Sequence, residues 1–112
     1  MACARSILAE TDGRIIGYVL YWLVPGAVDI HNIAVHVDVR GRGLGHLLLE
    51  KVLAEARRQS VPRVTLEVRK SNLSAQKLYE SMGFLTKGNR KGYYSDDGED
   101  ALAMTLELAA GK

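Results

Sequence analysis

A short glycine-rich turn carries the clearest chemical pattern in the chain. Gly41, Gly43 and Gly45 stand at alternate positions, with Arg40 before them and Arg42 among them. Glycine lets the backbone approach a ligand closely and point its N–H groups outward. A leucine-rich, helix-like segment follows, and the first turn of a helix adds unpaired N–H groups and a positive dipole end. The pattern indicates a cradle for a phosphate or pyrophosphate; the alternative is a purely structural turn.

Two common phosphate-binding motifs do not fit this spacing. A P-loop requires Lys and then Ser or Thr after its last glycine, whereas Gly45 is followed by His46 and Leu47. A dinucleotide-binding fingerprint requires a glycine three positions after its second glycine, where this chain has His46 or Leu48. What remains is an Arg-x-x-Gly-x-Gly pattern from Arg40 to Gly45 ahead of a helix.

The elements around the turn follow from hydrophobic periodicity and turn signals. Asp12-Gly13 and Pro25-Gly26 separate three apolar, β-branched runs, which predicts an antiparallel meander. The order βββ-α-β-α-β-β predicts an α/β (α+β) fold with a mixed, mostly antiparallel sheet and helices on its faces, and the strand after the first helix is expected to lie parallel to the third strand. The predicted strands cover residues 5–10, 14–24, 28–35, 63–68 and 101–108, with one more after Phe84, and the predicted helices cover residues 44–60 and 74–82.

Individual residues predict how these elements pack and end. Gly17, inside the second strand, indicates a bulge or a close backbone contact. Asn72 or Ser74 is expected to cap the second helix, and Gly83 suits its left-handed end. Residues 89–100 are polar and aromatic and predict a loop or wide hairpin. The apolar face of the first helix is expected to contain Leu44, Leu47, Leu48, Val52 and Ala56, widened by Leu49 and Leu53.

Composition narrows the class of protein. With 112 residues, 47% of them hydrophobic and 25% charged, the chain is expected to form one soluble domain over residues 1–112. A net charge of +2 argues against nucleic acid as the main partner. Cys3 is the only cysteine, and neither a signal peptide nor an apolar run of the roughly 18 residues of a membrane span is evident, so we expect a cytoplasmic protein without a membrane partner. The histidines lack metal-ligand spacing, so no metal is expected, and His31 and His36 are expected to be structural.

Four motifs in order over residues 14–108 carry a resemblance to a known family. They are Arg40-x-x-Gly43-x-Gly45, Leu66-Glu67-Val68-Arg69 with Ser71-Asn72, Leu78-Tyr79-Glu80-Ser81-Met82-Gly83-Phe84, and Tyr93-Tyr94 with Asp97-Gly98-Glu99-Asp100-Ala101 and Met104. The first three resemble the acetyl-CoA loop and second half of the GCN5-related N-acetyltransferase (GNAT) superfamily. The last resembles the protein N-terminal amine acetyltransferases, above all the ribosomal-protein-alanine (RimI-type) enzymes.

The resemblance implies direct acetyl transfer from acetyl-CoA, used as co-substrate, to a primary amine. The pantetheine would enter between the third and fourth strands, which splay apart, and the turn would hold the pyrophosphate. A backbone N–H near Val35 would stabilise the oxyanion. The residues that the resemblance assigns to acetyl-CoA are Ile33, Ala34, Val35, Arg40, Gly41, Arg42, Gly43, Leu44, Gly45, Tyr79 and Asn72, the last as a contact, a helix cap or both.

The resemblance also implies roles in chemistry and acceptor binding. Glu67 would remove a proton from the amine, directly or through water; the alternative is a solvent-facing glutamate. Tyr79 would protonate the leaving thiolate; the alternative is an ordinary core tyrosine. Tyr93 and Tyr94 would line the acceptor groove; the alternative is a pair of strand aromatics.

The chain departs from the family's pattern at its start. Family members usually begin with a strand and one or two helices, whereas this chain opens in the meander. By resemblance, those elements wall the acceptor groove, so an N-terminally shortened fold would leave apolar surface uncovered and favour a homodimer. The leading hypothesis is acetylation of the N-terminal α-amine of a protein such as a ribosomal protein. The alternatives are acetylation of a small amine or a lysine side chain, or a non-catalytic module that binds acetyl-CoA.

Overall fold

The computed structural model describes residues 3–108, and its helices and strands follow the predicted order. No helix within that range is long and apolar enough to cross a membrane. The strands are β1 Cys3–Thr11, β2 Arg14–Val24, β3 Ala27–Val35, β4 Arg63–Arg69, β5 Leu85–Arg90 and β6 Ala101–Glu107; the helices are α1 Leu44–Arg58 and α2 Leu73–Ser81, and Val37–Val39 forms a 3-10 turn.

The strands form one six-stranded sheet in the order β1-β2-β3-β4-β6-β5. Only β3 and β4 pair in parallel, as predicted, because α1 carries the chain back along the sheet between them. β4 and β5 also run in the same direction, since each is antiparallel to β6. Right-handed crossovers then place both helices on the same face of the sheet. The mixed, mostly antiparallel fold class is confirmed.

The core lies between that face and the helices. Val64, Leu66 and Val68 alternate along β4 and are buried with the apolar side of α1. Leu47 was expected on that side and is instead 49% exposed. It precedes the buried Val52 by five residues, which is about 140° around the helix. The buried residues of α1 are Leu48, Leu49, Val52, Leu53 and Ala56.

The other face of the sheet carries no helix of the described residues. Leu8, Leu20 and Trp22 lie on it and are 54%, 41% and 36% exposed. The expectation of uncovered apolar sheet surface therefore agrees with the structure.

The sequence predicted both ends of α2 correctly but did not define the bounds of β5. Asn72 caps α2, since its side chain accepts a hydrogen bond from Ala75 N at 3.1 Å, and Gly83 ends the helix at φ +101°. Residues 89–100 were expected to form a loop or wide hairpin, and Asn89 and Arg90 end β5, which pairs with β6 in a wide hairpin. β5 is an exposed edge strand of mostly polar residues, so its sequence has no alternation that would predict where it ends.

Candidate active site

β3 and β4 separate in the middle of the sheet. Their ladder ends at the pair Ile30–Leu66. At the next residue, His31, the register of β3 against β2 shifts, which marks a bulge. Because a bulge bends a strand and increases its twist, it explains why residues 33–35 of β3 have no partner on β4. This is the separation that the family resemblance implies.

A cleft of about 490 Å³ lies on the helix side of this separation. It is bounded by the end of β3, the glycine-rich turn, the N-terminal part of α1 and one side of α2. Of the residues predicted to bind acetyl-CoA, only Arg42 is absent from its lining. The lining residues are Ile33, Ala34, Val35, Arg40, Gly41, Gly43, Leu44, Gly45, His46, Asn72, Ser74, Ala75, Leu78 and Tyr79.

The glycine-rich turn has the backbone shape of an anion cradle. Gly43 directly precedes α1 and has φ +80°, a left-handed conformation that side chains with a Cβ rarely adopt. Arg40 Nε donates a hydrogen bond to Val35 O at 3.1 Å and so ties the turn to the end of β3. A Cβ at Gly45 would meet Leu78 at 3.3 Å, which shows how closely the two helices approach here. The helix N-terminus, the exposed backbone and the adjacent cation fit a diphosphate.

A second cleft, of about 210 Å³, occupies the gap between the diverging strands. Its lining includes Tyr79 from the helix side and Glu67 from the opposite face, so it passes between the two faces of the sheet. It shares Ile33, Asn72, Ala75 and Tyr79 with the larger cleft. Two ligands entering from opposite faces would therefore meet at Tyr79.

Tyr79 belongs both to the core and to the two clefts. Its side chain is 5% exposed, and its ring centre lies 5.8 Å from that of Phe84. Burial, with a smaller contribution from Tyr94, raises the pKa of Tyr79 to about 12. The phenol is therefore protonated at any physiological pH.

Glu67 is paired rather than simply solvent-facing. Arg90 Nη1 donates to Glu67 Oε2 at 3.1 Å, and the Glu67 side chain is 25% exposed. The Arg90 guanidinium also lies 4.7 Å from the centre of the Tyr93 ring. One arginine thus contacts both the predicted base and a residue predicted to line the acceptor groove.

Arg69, two residues beyond Glu67 on the same face of β4, organises the loop between β5 and β6. Its guanidinium lies 4.0 Å from the centre of the Tyr94 ring. The N–H of Ser71 donates to Glu99 Oε2 at 2.6 Å and joins the same loop to the start of α2. Arg69 forms ion pairs with Asp96 (2.8 Å), Asp97 (3.1 Å) and Glu99 (3.3 Å).

Hydrogen bonds lower the pKa values of three carboxyl groups in the loop between β5 and β6. Hydrogen bonding from Ser71, followed by that from Arg69, lowers the pKa of Glu99. The backbone N–H of Glu99 lowers the pKa of Asp97, and Asn89 together with Gly92 N lowers that of Asp100. These interactions therefore favour the charged forms of Asp97, Glu99 and Asp100.

The structure brings most of the predicted site together but not all of it. Tyr93 and Tyr94 line neither cleft; their rings meet edge to face at 5.1 Å on the loop beside Glu67. His36 Nδ1 accepts from Asp38 N at 3.1 Å and caps the 3-10 turn. His31 lines the smaller cleft. Within residues 3–108, no three His, Cys, Asp or Glu side chains are placed to hold a metal ion.

Sequence reasoning did not identify Arg69 and Arg90 as site residues. Both occur inside segments that were singled out, and Arg69 stands two positions after Glu67. Their partners, however, lie 23 to 30 positions away along the chain. Only the pairing of β4, β6 and β5 could reveal these contacts.

Known proteins that are similar to this chain are acetyltransferases. The model of the Acetyltransferase (GNAT) family matches residues 2–84. A relative from Bacillus subtilis (strain 168) is 41% identical over 105 residues, 94% of this chain and 70% of the relative. The [ribosomal protein bS18]-alanine N-acetyltransferase of Escherichia coli (strain K12) is 37% identical over 100 residues, 88% of this chain and 68% of that protein.

Solved structures are similar over nearly the whole chain. The crystal structure of the ribosomal-protein-S18-alanine N-acetyltransferase from Escherichia coli gives a TM-score of 0.89 at 33% identity, over 97% of this chain and 72% of that one. The crystal structure of the NatC complex bound to Gag peptide and CoA gives a TM-score of 0.84 at 27% identity, over 90% of this chain and 66% of that one.

Proposed function

The chain belongs to the Acetyltransferase (GNAT) family and is an acetyl-CoA-dependent N-acetyltransferase, and we propose that its acceptor is the N-terminal α-amine of a protein. The similarity to the Escherichia coli enzyme favours an N-terminal alanine of a ribosomal protein as the substrate. The chain spans about 70% of the relatives that it matches, and the proposal concerns the activity of its 112 residues.

The observation that carries the proposal is the meeting of two clefts at Tyr79. The larger cleft is lined by residues 33–35 of β3 and by the glycine-rich turn, the two features that would bind acetyl-CoA. The smaller cleft opens toward the face that carries Glu67 and the tyrosine loop. A donor and an acceptor approaching from opposite faces would place the thioester and the amine side by side, which suits direct transfer without a covalent enzyme intermediate.

Acetyl-CoA binding would use backbone groups more than side chains. Residues 33–35 of β3 lack strand partners on β4 and are free to pair with the pantetheine. The turn from Arg40 to Gly45 would hold the pyrophosphate through N–H groups and the N-terminus of α1. A backbone N–H near Val35 would stabilise the oxyanion of the tetrahedral intermediate. Arg42 is not among the residues that line the cleft, and its side chain would act there through its charge.

Glu67 would act as the general base. A protein α-amine has a pKa of about 8, so at neutral pH most acceptors arrive protonated and must lose one proton before attack. Glu67 lines the smaller cleft, and one of its oxygens is held by Arg90. The other oxygen is available to take the proton directly or through a water molecule.

Tyr79 would donate a proton or a hydrogen bond to the leaving sulfur. Burial keeps its phenol protonated, since the pKa of Tyr79 is raised to about 12. The same burial disfavours a lasting phenolate. We therefore expect the amine's proton to leave through Glu67 while Tyr79 stabilises the thiolate within the same step.

Tyr93 and Tyr94 would form a wall for the first residues of the acceptor. They stand on the loop that Arg69 and Arg90 attach to the sheet, beside Glu67. Aromatic side chains held in this way give contact area at low cost in conformational entropy.

Self-association and location remain predictions. The exposed side chains of Leu8, Leu20 and Trp22 favour a homodimer through the helix-free face. Sedimentation equilibrium of the wild-type chain and of Trp22→Ser would test this, and a monomer at all concentrations would contradict it. A single-domain, cytoplasmic protein is what the composition favours.

The deciding experiment measures release of CoA thiol with a panel of amines. The panel contains peptides beginning with alanine, serine or methionine, a peptide with a blocked N-terminus and an internal lysine, and a polyamine. We expect turnover only with free N-termini, highest with alanine. Turnover restricted to lysine or the polyamine would contradict the proposed acceptor, and acetyl-CoA binding without turnover on any amine would indicate a non-catalytic module.

A further inference from the structure

We propose that Arg90 is a positioning residue for the general base. Its guanidinium holds Glu67 Oε2 and leaves the other carboxylate oxygen for the acceptor amine. The inference rests on the proposed function of Glu67 as the base, and goes beyond it by assigning a role to a residue on a different strand.

The sheet is built so that this contact can form. Arg90 belongs to β5 and Glu67 to β4, and β6 runs between them. On β6, Ala101 pairs with Arg90 and Ala103 pairs with Glu67. Directly paired residues share a face, so two short side chains lie under the arginine. A longer residue at either alanine would block the path from β5 to β4.

The arginine is itself held from a second side. Its guanidinium lies 4.7 Å from the centre of the Tyr93 ring, in the range of a cation–π contact. A guanidinium that already lies against an aromatic ring has fewer orientations to lose when one of its N–H groups donates a hydrogen bond. Arg90 therefore links the orientation of Glu67 to the wall of the acceptor groove.

The hydrogen bond from Arg90 would affect catalysis by orienting the carboxylate of Glu67, and not by charge alone. A general base must lie within hydrogen-bond reach of the proton that it removes. A carboxylate on a strand can rotate about its side-chain bonds, and in the rotamer that the structure shows Glu67 lines the smaller cleft. A fixed hydrogen bond to one oxygen selects such a rotamer.

The test is a double-mutant cycle with Arg90→Gln, Glu67→Gln and the double variant, run with the amine that the wild-type chain acetylates best. We expect Arg90→Gln to lower kcat about tenfold, because small misplacements of a catalytic group have effects of this size or larger. The KM for acetyl-CoA is expected to stay unchanged. In the Glu67→Gln background, Arg90→Gln is expected to change kcat by less than about twofold, since it acts through Glu67. Arg90→Lys, which keeps a charged donor, should recover part of the loss.

Arg63→Gln is the matched control. Arg63 Nε pairs with Glu107 Oε2 at 3.4 Å across β4 and β6, far along the sheet from the clefts. The Arg63→Gln variant therefore loses an arginine–glutamate contact of the same kind. Its kcat should equal that of the wild type. Thermal unfolding of each variant checks that the fold is kept.

Distinct outcomes separate the inference from the proposed function. An equal loss from Arg90→Gln in both backgrounds, or no loss in either, overturns the positioning role. If Glu67→Gln keeps wild-type turnover, Glu67 is not the base, and the positioning role of Arg90 is contradicted with it. Turnover of the polyamine alone contradicts the N-terminal acceptor, yet the cycle run with the polyamine still tests Arg90. A wild-type chain that acetylates no amine contradicts both.

Discussion

The guanidinium of Arg69 lies 4.0 Å from the centre of the Tyr94 ring, and the two residues come from a central strand and from the loop after β5. Arg69 also pairs with the acidic side chains of that loop. The strand that carries Glu67 thereby holds the loop that carries the two tyrosines. The proposed base and the proposed wall of the acceptor groove are therefore attached to the same strand.

Removing that support should weaken acceptor binding selectively. Arg69→Met keeps most of the side chain's length but loses the ion pairs and the cation–π contact. We expect the KM for an alanine-terminated peptide to rise about fivefold, which corresponds to about 1 kcal/mol. Steady-state kinetics with each substrate varied in turn would measure this. An equal rise in the KM for acetyl-CoA would show that Arg69 supports the whole site, and Arg57→Gln, on α1, controls for loss of charge.

Tyr79→Phe should separate catalysis from packing. Phenylalanine keeps the ring that packs against Phe84 and removes only the hydroxyl. We expect kcat to fall at least tenfold with little change in the unfolding midpoint, because the leaving sulfur loses its donor. Tyr21→Phe is a matched control, since Tyr21 is a buried tyrosine outside the lining of both clefts. Full activity in Tyr79→Phe would support the ordinary core tyrosine.

Gly43→Ala should weaken acetyl-CoA binding, and its loss of folding stability should not account for that effect. A Cβ at Gly43 meets nothing within 4 Å, but its φ of +80° costs about 1 kcal/mol for a residue with a Cβ. Gly26 has the same φ and the same free space in the turn between β2 and β3. Gly26→Ala should therefore lose similar stability. Titration calorimetry with CoA should show weaker binding only for Gly43→Ala; equal affinities would contradict a pyrophosphate cradle at the turn.

Stability should fall in acid because of the loop carboxylates. The pKa of Glu99 is lowered by hydrogen bonding from Ser71, and those of Asp97 and Asp100 are also lowered. In the unfolded chain these groups titrate near pH 4, so on acidification the unfolded state takes up protons first. The stabilisation is present above about pH 4 and is lost as the pH falls through the folded pKa values.

Glu99→Gln tests this by thermal unfolding between pH 7 and pH 3. The variant should be less stable than the wild type at pH 7, and the difference should shrink toward pH 3. Glu10→Gln, in β1, is the matched control, since it removes a carboxylate outside that loop. A constant difference at all pH values would mean that Glu99 acts by packing rather than by its charge.

The sequence by itself determined the order of the elements, the glycine-rich turn and the cap of α2. Each of these depends on residues close together in the chain: apolar periodicity, a glycine before a helix, and the Asn72 side chain reaching Ala75 N three positions on. The motifs also indicated the family, and with it the candidate residues Glu67 and Tyr79. The prediction was wrong at Leu47, where consecutive leucines obscured which side of the helix is buried, and the polar sequence of β5 left its bounds open.

The tertiary structure alone decided how the candidate residues meet. Both helices lie on one face because two right-handed crossovers run in the same direction across the sheet. The gap between β3 and β4 opens at the bulge at His31, and the contact of Arg90 with Glu67 spans a strand between them. These features depend on strand register, which long-range pairing sets, and a shift of one residue would send each side chain to the other face of the sheet.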